Sequence, residues 1–258
     1  MHIVKSHFKR VHEMRSVRYG LVGIAVVLGL ACSSGRLLAA DEPLNQWTGS
    51  VDLSLITATG NSKTRTGSAN AIASKRTEKD RWIGRAGGLT GSSDGDKVAE
   101  YYYANGEYNY FHTPKTYSIY FLGWEKDKLA GLDSRLTARI GLGHEFMKTD
   151  RDFFVGEAGV AYVRENREDG TEGFPEGRLF GRYEHLFREG VKFIQELEYL
   201  QDLSLMKNYR LRSLTALEMA INSRWALKTA LKVHFDNTPT PGFRETDTIT
   251  ETSLVYKF

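Results

Sequence analysis

The feature that most constrains this chain is a two-residue period of apolar side chains that recurs from residue 47 to the C-terminus. Between Trp225 and Phe235 every second residue is apolar or threonine, and Lys228, Lys232 and His234 lie between them. The side chains of a β-strand point alternately to its two faces. Each such segment therefore predicts a strand with one apolar and one charged face.

Twelve segments of this kind follow one another along the chain. They span 47–58, 62–76, 81–91, 98–112, 116–126, 133–147, 153–165, 177–188, 191–202, 208–221, 224–235 and 246–258. Strands of soluble sheets usually have about 5–6 residues, whereas a tilted strand in an outer membrane needs about 9–11. The pattern predicts an all-β fold, a transmembrane antiparallel up-and-down β-barrel of about 12 strands.

The predicted connections alternate in length. Those at 113–115 and 188–190 are tight, and those at 166–176 and 237–245 are long. Outer-membrane barrels have short periplasmic turns and longer external loops. An even number of strands then places both chain ends on the periplasmic side, and 166–176 becomes an external loop.

A soluble β-sandwich would also alternate, with its apolar faces packed against a second sheet. The aromatic residues favour the barrel, because amphipathic rings prefer the two membrane interfaces. They lie near the predicted strand ends: Trp47, Trp82, Tyr110, Phe111, Phe146, Phe187 and Tyr256.

Residues 1–40 have the order of a secretory signal peptide. A basic start is followed by an uncharged apolar run over 19–31 and by small residues up to Ala40. Such a segment is removed on export. The apolar run is shorter than the roughly 20 residues of a spanning helix, although an N-terminal membrane anchor is the alternative. The prediction is a signal peptide over 1–40 and a barrel domain over 41–258.

Cleavage after Ala40 changes the charge and the cysteine count. The whole chain has a net charge of +3, and loss of six basic residues and one acidic residue leaves 29 basic against 31 acidic residues. This balance gives no basic footprint for nucleic acid. Cys32, the single cysteine, would also be removed. The alternative is lipidation of Cys32, since Leu28-Gly29-Leu30-Ala31 loosely resembles a lipoprotein box.

The C-terminus ends an alternating strand with an aromatic residue. Leu254, Tyr256 and Phe258 share one face of this strand. A final aromatic residue in this setting is typical of chains inserted by the outer-membrane barrel assembly machinery. We therefore expect Tyr256 and Phe258 to bind that machinery, and outer-membrane lipid to be the main surroundings of the barrel.

Several short motifs line up with a known family. They are Trp47-Thr48-Gly49, Thr59-Gly60-Asn61-Ser62, Trp124-Glu125-Lys126-Asp127 before Gly131-Leu132 and Arg135, Gly141-Leu142-Gly143-His144, Gly156 and Gly159 before Tyr162, and Leu254-Val255-Tyr256-Lys257-Phe258. Over 47–258 the chain resembles the family of salt-stress-induced outer-membrane proteins, whose domain has no assigned function. The resemblance implies export and a barrel, and it supplies no substrate or catalytic residue.

One cluster of charged residues is expected at the external mouth. Glu125 and Asp127 share a face of one strand, and Arg135 lies on the next strand. The first interpretation is a salt-bridged rim, and the second is a ligand or cation site. A carboxylate pair without a cleft is weak support for catalysis.

A second set of charged residues is expected to line the lumen, because it occupies the faces opposite the apolar rows. The set is Arg178, Arg182, Glu184, Glu196, Glu198, Arg210, Arg212, Arg224, Lys228 and Lys232. Acids predominate over 184–202 and bases over 210–232, which predicts two segregated walls with a transverse field. The side chains either plug the interior or line an aqueous path.

No enzyme, cofactor or metal site is expected. The histidines show no metal-ligand spacing, and His144 and His185 fall on apolar faces, where an interface position is the simpler interpretation. The first hypothesis is a passive channel for small polar solutes or ions, with a link to salt or osmotic stress through the resemblance. The second is a structural or surface-interaction barrel with an occluded lumen and a contact surface at 166–176.

Overall fold

The computed structural model describes residues 43–58, 64–94, 96–128, 131–167, 170–239 and 244–258. The predicted signal peptide over 1–40, with Cys32, lies outside this range. Within it the chain forms twelve strands: β1 Trp47–Ala58, β2 Thr64–Arg76, β3 Asp80–Ser93, β4 Asp96–Phe111, β5 Thr116–Asp127, β6 Leu132–Lys148, β7 Asp152–Arg167, β8 Gly170–Arg188, β9 Val191–Asp202, β10 Tyr209–Ala220, β11 Trp225–Asp236 and β12 Thr246–Lys257.

The strands form one closed antiparallel barrel. Each strand pairs with its neighbour in sequence, and β1 pairs with β12. The register at this seam runs from Ser50↔Lys257 to Leu53↔Leu254. Next to it Gly49 and Phe258 exchange two backbone hydrogen bonds of 3.0 and 3.1 Å. The predicted fold class and strand number are confirmed.

The outward face carries a band of exposed aliphatic side chains. Its members include Leu53, Leu122, Leu136, Ile140, Leu142, Val160, Leu179, Leu197, Leu211, Leu217, Leu231 and Leu254. Along β6 the band runs from Leu136 to Phe146, both exposed. Ten residues at about 3.3 Å each, tilted by about 40°, span about 25 Å, the height of the apolar band in outer-membrane barrels.

Aromatic residues border this band at both ends. At the end where β1 begins and β12 ends, called the terminal end here, exposed rings belong to Trp47, Trp82, Tyr110, Phe146, Phe187 and Trp225. At the opposite end Tyr102, Trp124 and Tyr162 are exposed, and Tyr199, Tyr209 and Phe235 form a row of ring contacts. The prediction for Phe111 is wrong: its side chain faces inward and is buried, with Arg76 3.4 Å above its ring.

The prediction of a loop at 166–176 is also wrong. Asn166 pairs with Thr171 and Glu165 pairs with Glu172, so β7 and β8 continue as a hairpin and only two residues separate their ends. The connections after β9 and β11 are the long ones at this end, over 203–208 and 237–245. The residues predicted to form a loop between β7 and β8 thus extend the two strands instead, because paired strands satisfy the hydrogen bonds of their own backbone.

An inward glycine allows the tightest aromatic packing in the wall. A Cβ atom on Gly143 would lie 2.3 Å from Cζ of Tyr117, whose side chain is fully buried. A Cβ atom on Gly84, on the outward face, would meet nothing within 4 Å.

We predict that Gly143→Ala destabilises the barrel and that Gly84→Ala does not. Overpacking a rigid site costs about 1–3 kcal/mol, whereas an outward alanine in a strand is neutral or mildly stabilising. Reversible urea unfolding of the barrel in lipid vesicles measures both. Equal stability of the two variants would contradict the packing of Tyr117 on Gly143.

Candidate functional site: an ion-paired lumen

Nine of the ten predicted lumen residues face the interior. Among them Arg182, Glu184, Glu196 and Glu198 are almost completely inaccessible to water. The exception is Arg224, which lies in the exposed turn before β11, where its backbone carbonyl accepts a hydrogen bond from Lys257. Its placement in the lumen is therefore corrected to a turn at the terminal end.

The predicted mouth cluster lies inside the barrel wall. Arg135 donates to the carboxylate of Glu125, its register partner, and its Nε lies 2.6 Å from Oε1 of Glu165. Asp127 is buried on the same inward face, beyond an irregularity in the β5–β6 register. This arrangement agrees with the first interpretation, a salt-bridged cluster, although the three residues lie deeper in the barrel than a surface rim.

Arg212 extends this cluster across the lumen. Its two terminal nitrogens lie 3.7 Å from Glu125 on β5 and 3.5 Å from Glu198 on β9. Since β10 and β5 are five strands apart in the ring, the contact with Glu125 joins opposite walls. The Arg212 side chain therefore extends across the interior of the ring.

Further pairs continue from both ends of Arg212. Arg178 lies 2.9 Å from Glu157 and 2.5 Å from Glu198, and Arg210 contacts Glu165 at 3.5 Å and also pairs with Glu176. Arg167 joins the set through Glu165, at 2.8 Å. The result is one connected set of ten residues, the central network: Glu157, Arg178, Glu198, Arg212, Glu125, Arg135, Glu165, Arg167, Arg210 and Glu176.

A second set, the terminal network, crosses the interior nearer the terminal end. Its members are Glu196, Arg182, Glu184, Lys192, Glu218 and Lys257. Arg182 bridges Glu184, at 2.6 Å, and Glu196. Lys192 lies 3.5 Å from Glu184 and 4.0 Å from Glu218. Lys257 of β12 lies 2.5 Å from Glu218 of β10, so the set reaches across β11.

Two contacts cross the β1–β12 seam from inside, and a third supports one of them. Lys228 of β11 pairs with Asp52 of β1. Lys232 lies 2.7 Å from Glu251, which also accepts a hydrogen bond of 2.5 Å from Ser68 of β2. The contacts of Lys228 with Asp52 and of Ser68 with Glu251 each pass over one intervening strand, and therefore supplement the backbone pairing at the seam.

The expected segregation of acidic and basic walls is wrong. From β5 to β10 glutamates and arginines interleave, so that Arg135 on β6 lies between Glu125 on β5 and Glu165 on β7. Arg178 on β8 likewise lies between Glu157 on β7 and Glu198 on β9. Desolvated charges are costly without a partner, and interleaving gives Arg135 and Arg178 two carboxylates each in place of a transverse field.

Apolar side chains fill other parts of the interior. One cluster contains Leu89, Ala99, Tyr101, Tyr103 and Ile249, and so joins β3 and β4 to β12. Another contains Phe111, Tyr117, Ile119, Phe153 and Val155 at the terminal end. Interior surfaces of this kind resemble a packed protein core more than the wall of a water channel.

The interior contains a mid-lumen cavity of about 90 Å³. A water molecule requires about 10–15 Å³ of space measured in this way, so the cavity holds several waters or a small ion. It is much smaller than a sugar-sized ligand pocket of about 300 Å³ or more. Sequence reasoning missed the residues of β3 that line it, Arg81 and Arg85, because apolar and charged residues mix on the inward face of that strand.

The two outward histidines have ordinary partners. His144 shares a hydrogen bond of 2.8 Å with Thr116, and His185 one of 2.8 Å with Asp152. Across the described residues no group of three or more potential metal ligands comes together, and no helix is long and apolar enough to cross a membrane.

Fold and site together define a class of protein: a closed, twelve-stranded antiparallel β-barrel with an aliphatic outer band and an ion-paired interior. The chain belongs to the family described as "Protein of unknown function, DUF481", whose model matches residues 51–258. A relative in Escherichia coli (strain K12), "Uncharacterized protein YdiY", is 24% identical over 240 residues, 91% of this chain and 93% of that protein.

Solved barrels resemble this one at low sequence identity. The NanC porin has a TM-score of 0.49 and 7% identity, covering 81% of this chain and 97% of its own. The KdgM porin has 0.47 and 11%, covering 83% and 99%. The translocator domain of the autotransporter NalP from Neisseria meningitidis has 0.47 and 11%, covering 82% and 87%. Such values say nothing about individual lumen residues.

We predict that Arg135→Met destabilises the barrel by about 1.5–3 kcal/mol, the usual worth of a hydrogen bond to a charged group, because Glu125 keeps Arg212 and Glu165 keeps Arg167 and Arg210 as partners. The double variant Arg135→Met/Glu165→Gln costs less than the sum of its two single variants, because the contact between these two side chains is lost only once. Urea unfolding in vesicles measures both, with Arg164→Met on the outward face as the control. A double variant less stable than the sum of its two single variants would contradict the proposed coupling.

Proposed function

We propose that this protein spans the outer membrane of a Gram-negative bacterium as a closed barrel, after export directed by residues 1–40. The aliphatic band of about 25 Å, bordered by aromatic residues, supports contact with lipid. In this orientation the terminal end faces the periplasm, and the β7–β8 hairpin projects from the opposite, external end. Tyr256 and Phe258 lie on the outward face at the terminal end, where the barrel assembly machinery would bind them.

The function that the geometry supports best is a structural or surface-interaction role with an occluded lumen. The observation that carries this proposal is the contact of Arg212 with Glu125, which joins opposite walls of the ring. The candidate contact surface is the tip of the β7–β8 hairpin, where Asn166, Thr171 and Glu172 are exposed. The apolar cluster of Ala161, Val163 and Phe174 supports its base.

A second candidate is a narrow channel for small polar solutes or ions. The mid-lumen cavity favours it, because polar space already exists between the two networks. Conduction would require rearrangement of the central network, since Arg212 occupies the path. The link to salt stress is a proposal that rests on the family resemblance, and ion pairs do weaken as ionic strength rises, although buried pairs respond less.

We predict that the purified barrel shows no steady open level in planar bilayers and that Arg212→Met/Glu125→Gln opens more often. The contact between Arg212 and Glu125 stabilises the closed state of the lumen, and the double variant lacks it. If this contact stabilises the closed state by about 1.4 kcal/mol, its loss raises the open fraction roughly tenfold. Single-channel recording measures this, with folding checked by heat-modifiable migration on gels.

Arg164→Met is the control, because this arginine is exposed on the outward face of β7 and its loss should leave the recordings unchanged. Long-lived open channels of the unaltered protein would sink the occluded-barrel proposal and support the passive channel. If neither the unaltered protein nor the double variant opened, the contact of Arg212 with Glu125 would not be what keeps the lumen closed.

A further inference from the structure

The mid-lumen cavity is lined by more cations than anions. Eight arginines reach its surface, together with five glutamates. The arginines are Arg81, Arg85, Arg135, Arg139, Arg178, Arg182, Arg210 and Arg212, and the glutamates are Glu107, Glu125, Glu157, Glu176 and Glu198. Four further glutamates pair with these arginines from outside the cavity surface, so the charges of the wider surroundings are nearly balanced: Glu145, Glu165, Glu184 and Glu196.

Arg81 differs from the arginines of the central network in its hydrogen bonding. Its side chain is 2% exposed, and two of its nitrogens, Nε and Nη1, have no hydrogen-bond partner among the described residues. The carboxylate that forms an ion pair with Arg81 belongs to Glu145, and its Oε1 lies 3.8 Å from Nη1 of Arg81. This distance is too long for a hydrogen bond. The rings of Phe111 and Tyr117 lie 5.4 and 5.0 Å from its guanidinium carbon.

These donors require an acceptor. A buried N–H without a partner costs about 1–3 kcal/mol, and more when the group is charged. Buried donors of this kind are usually satisfied by a water molecule or an ion. An anion gains more than water here, because hydrogen bonds between a guanidinium and an anion are about twice as strong as neutral ones.

The size of the cavity limits the ligand. Its volume of about 90 Å³ admits a halide or a phosphate-sized oxyanion with a few waters, given about 10–15 Å³ for each water. Sugar acids and nucleotides are too large. The surrounding apolar rings of Tyr117 and Phe121 also line the cavity and lower the competition from bulk water.

We propose that the mid-lumen cavity binds one small inorganic anion and that Arg81 holds it. The ligand completes the hydrogen bonding of Arg81, whose guanidinium has its nearest carboxylate at 3.8 Å. The site depends on the packed interior and not on conduction, so it stands whether the barrel is an occluded structural protein or a gated channel.

Thermal unfolding of the full barrel in detergent tests this site. The protein is heated in sodium bromide and in sodium gluconate of equal ionic strength and pH, because gluconate is too large for the cavity. We expect a higher Tm in bromide, saturating with concentration as a single site does. Bromide is not among the salts that stabilise proteins by general exclusion, so a rise points to specific binding. A parallel series in sodium phosphate separates halide from oxyanion.

The matched variants are Arg81→Met and Arg151→Met. Arg151 lies in the exposed turn between β6 and β7, so its loss should keep the difference between bromide and gluconate, whereas Arg81→Met should abolish it. Crystals of the unaltered protein soaked in bromide provide a measurement that needs no variant. An anomalous peak beside the Arg81 guanidinium supports the site even where Arg81→Met fails to fold.

Two results would overturn the proposal. The first is an equal Tm of the unaltered protein in bromide, phosphate and gluconate with no anomalous peak in the cavity, which would mean that water alone satisfies Arg81. The second is an anion-dependent rise that persists in folded Arg81→Met, which would place the binding elsewhere on the barrel.

Discussion

The structure depends on the requirement that every backbone N–H and C=O in a bilayer finds a partner within the protein. An open sheet leaves two unpaired edges, and only a closed barrel removes them. The pairing of β1 with β12 meets this requirement, and the backbone bonds between Gly49 and Phe258 extend it to the last residue. Closure also divides the side chains, because every second one must then point into a small enclosed space.

This enclosed space explains the charges. Outward positions carry Leu, Ile and Val, as the proposed contact with lipid requires, and the polar residues that alternate with them point inward. In a narrow ring they lose most of their water, and an unpaired charge would then cost several kcal/mol. Interleaved arginines and glutamates meet this demand, as Arg135 shows between Glu125 and Glu165. The antiparallel register sets which residues meet, since Glu125 and Arg135 are opposite each other on β5 and β6.

The period of two was sufficient to predict much of the fold. It located all twelve strands and the inward face of nine of the ten expected lumen residues, because a strand assigns each side chain to a face wherever the alternation is clean. It also placed Glu125 and Arg135 close enough to pair. These inferences use only local geometry, which the order of residues contains.

The errors arose where local geometry does not decide. The pattern predicts Arg224 inside a strand, but β11 begins one residue later, at Trp225. It predicts Phe111 on the outward face, but Phe111 shares the inward face with Asn109. The 166–176 segment has glycines and a proline that suggest a loop, yet cross-strand pairing extends the hairpin through it. The reach of Arg212 across the ring follows from barrel diameter and tilt together, and neither can be obtained from one strand's pattern.

Spin labels on two adjacent residues of β6 test the central claim of an apolar exterior around a packed, ion-paired interior without a continuous water path. Labels at Thr137, facing inward, and at Ala138, facing outward, are compared in vesicles for collisions with oxygen, which concentrates in lipid, and with a water-soluble nickel complex. The account predicts frequent oxygen collisions at 138 and low accessibility to both reagents at 137. Strong collisions of the nickel complex at 137 would reveal a water-filled lumen, and at 138 they would show that the outward face does not contact lipid.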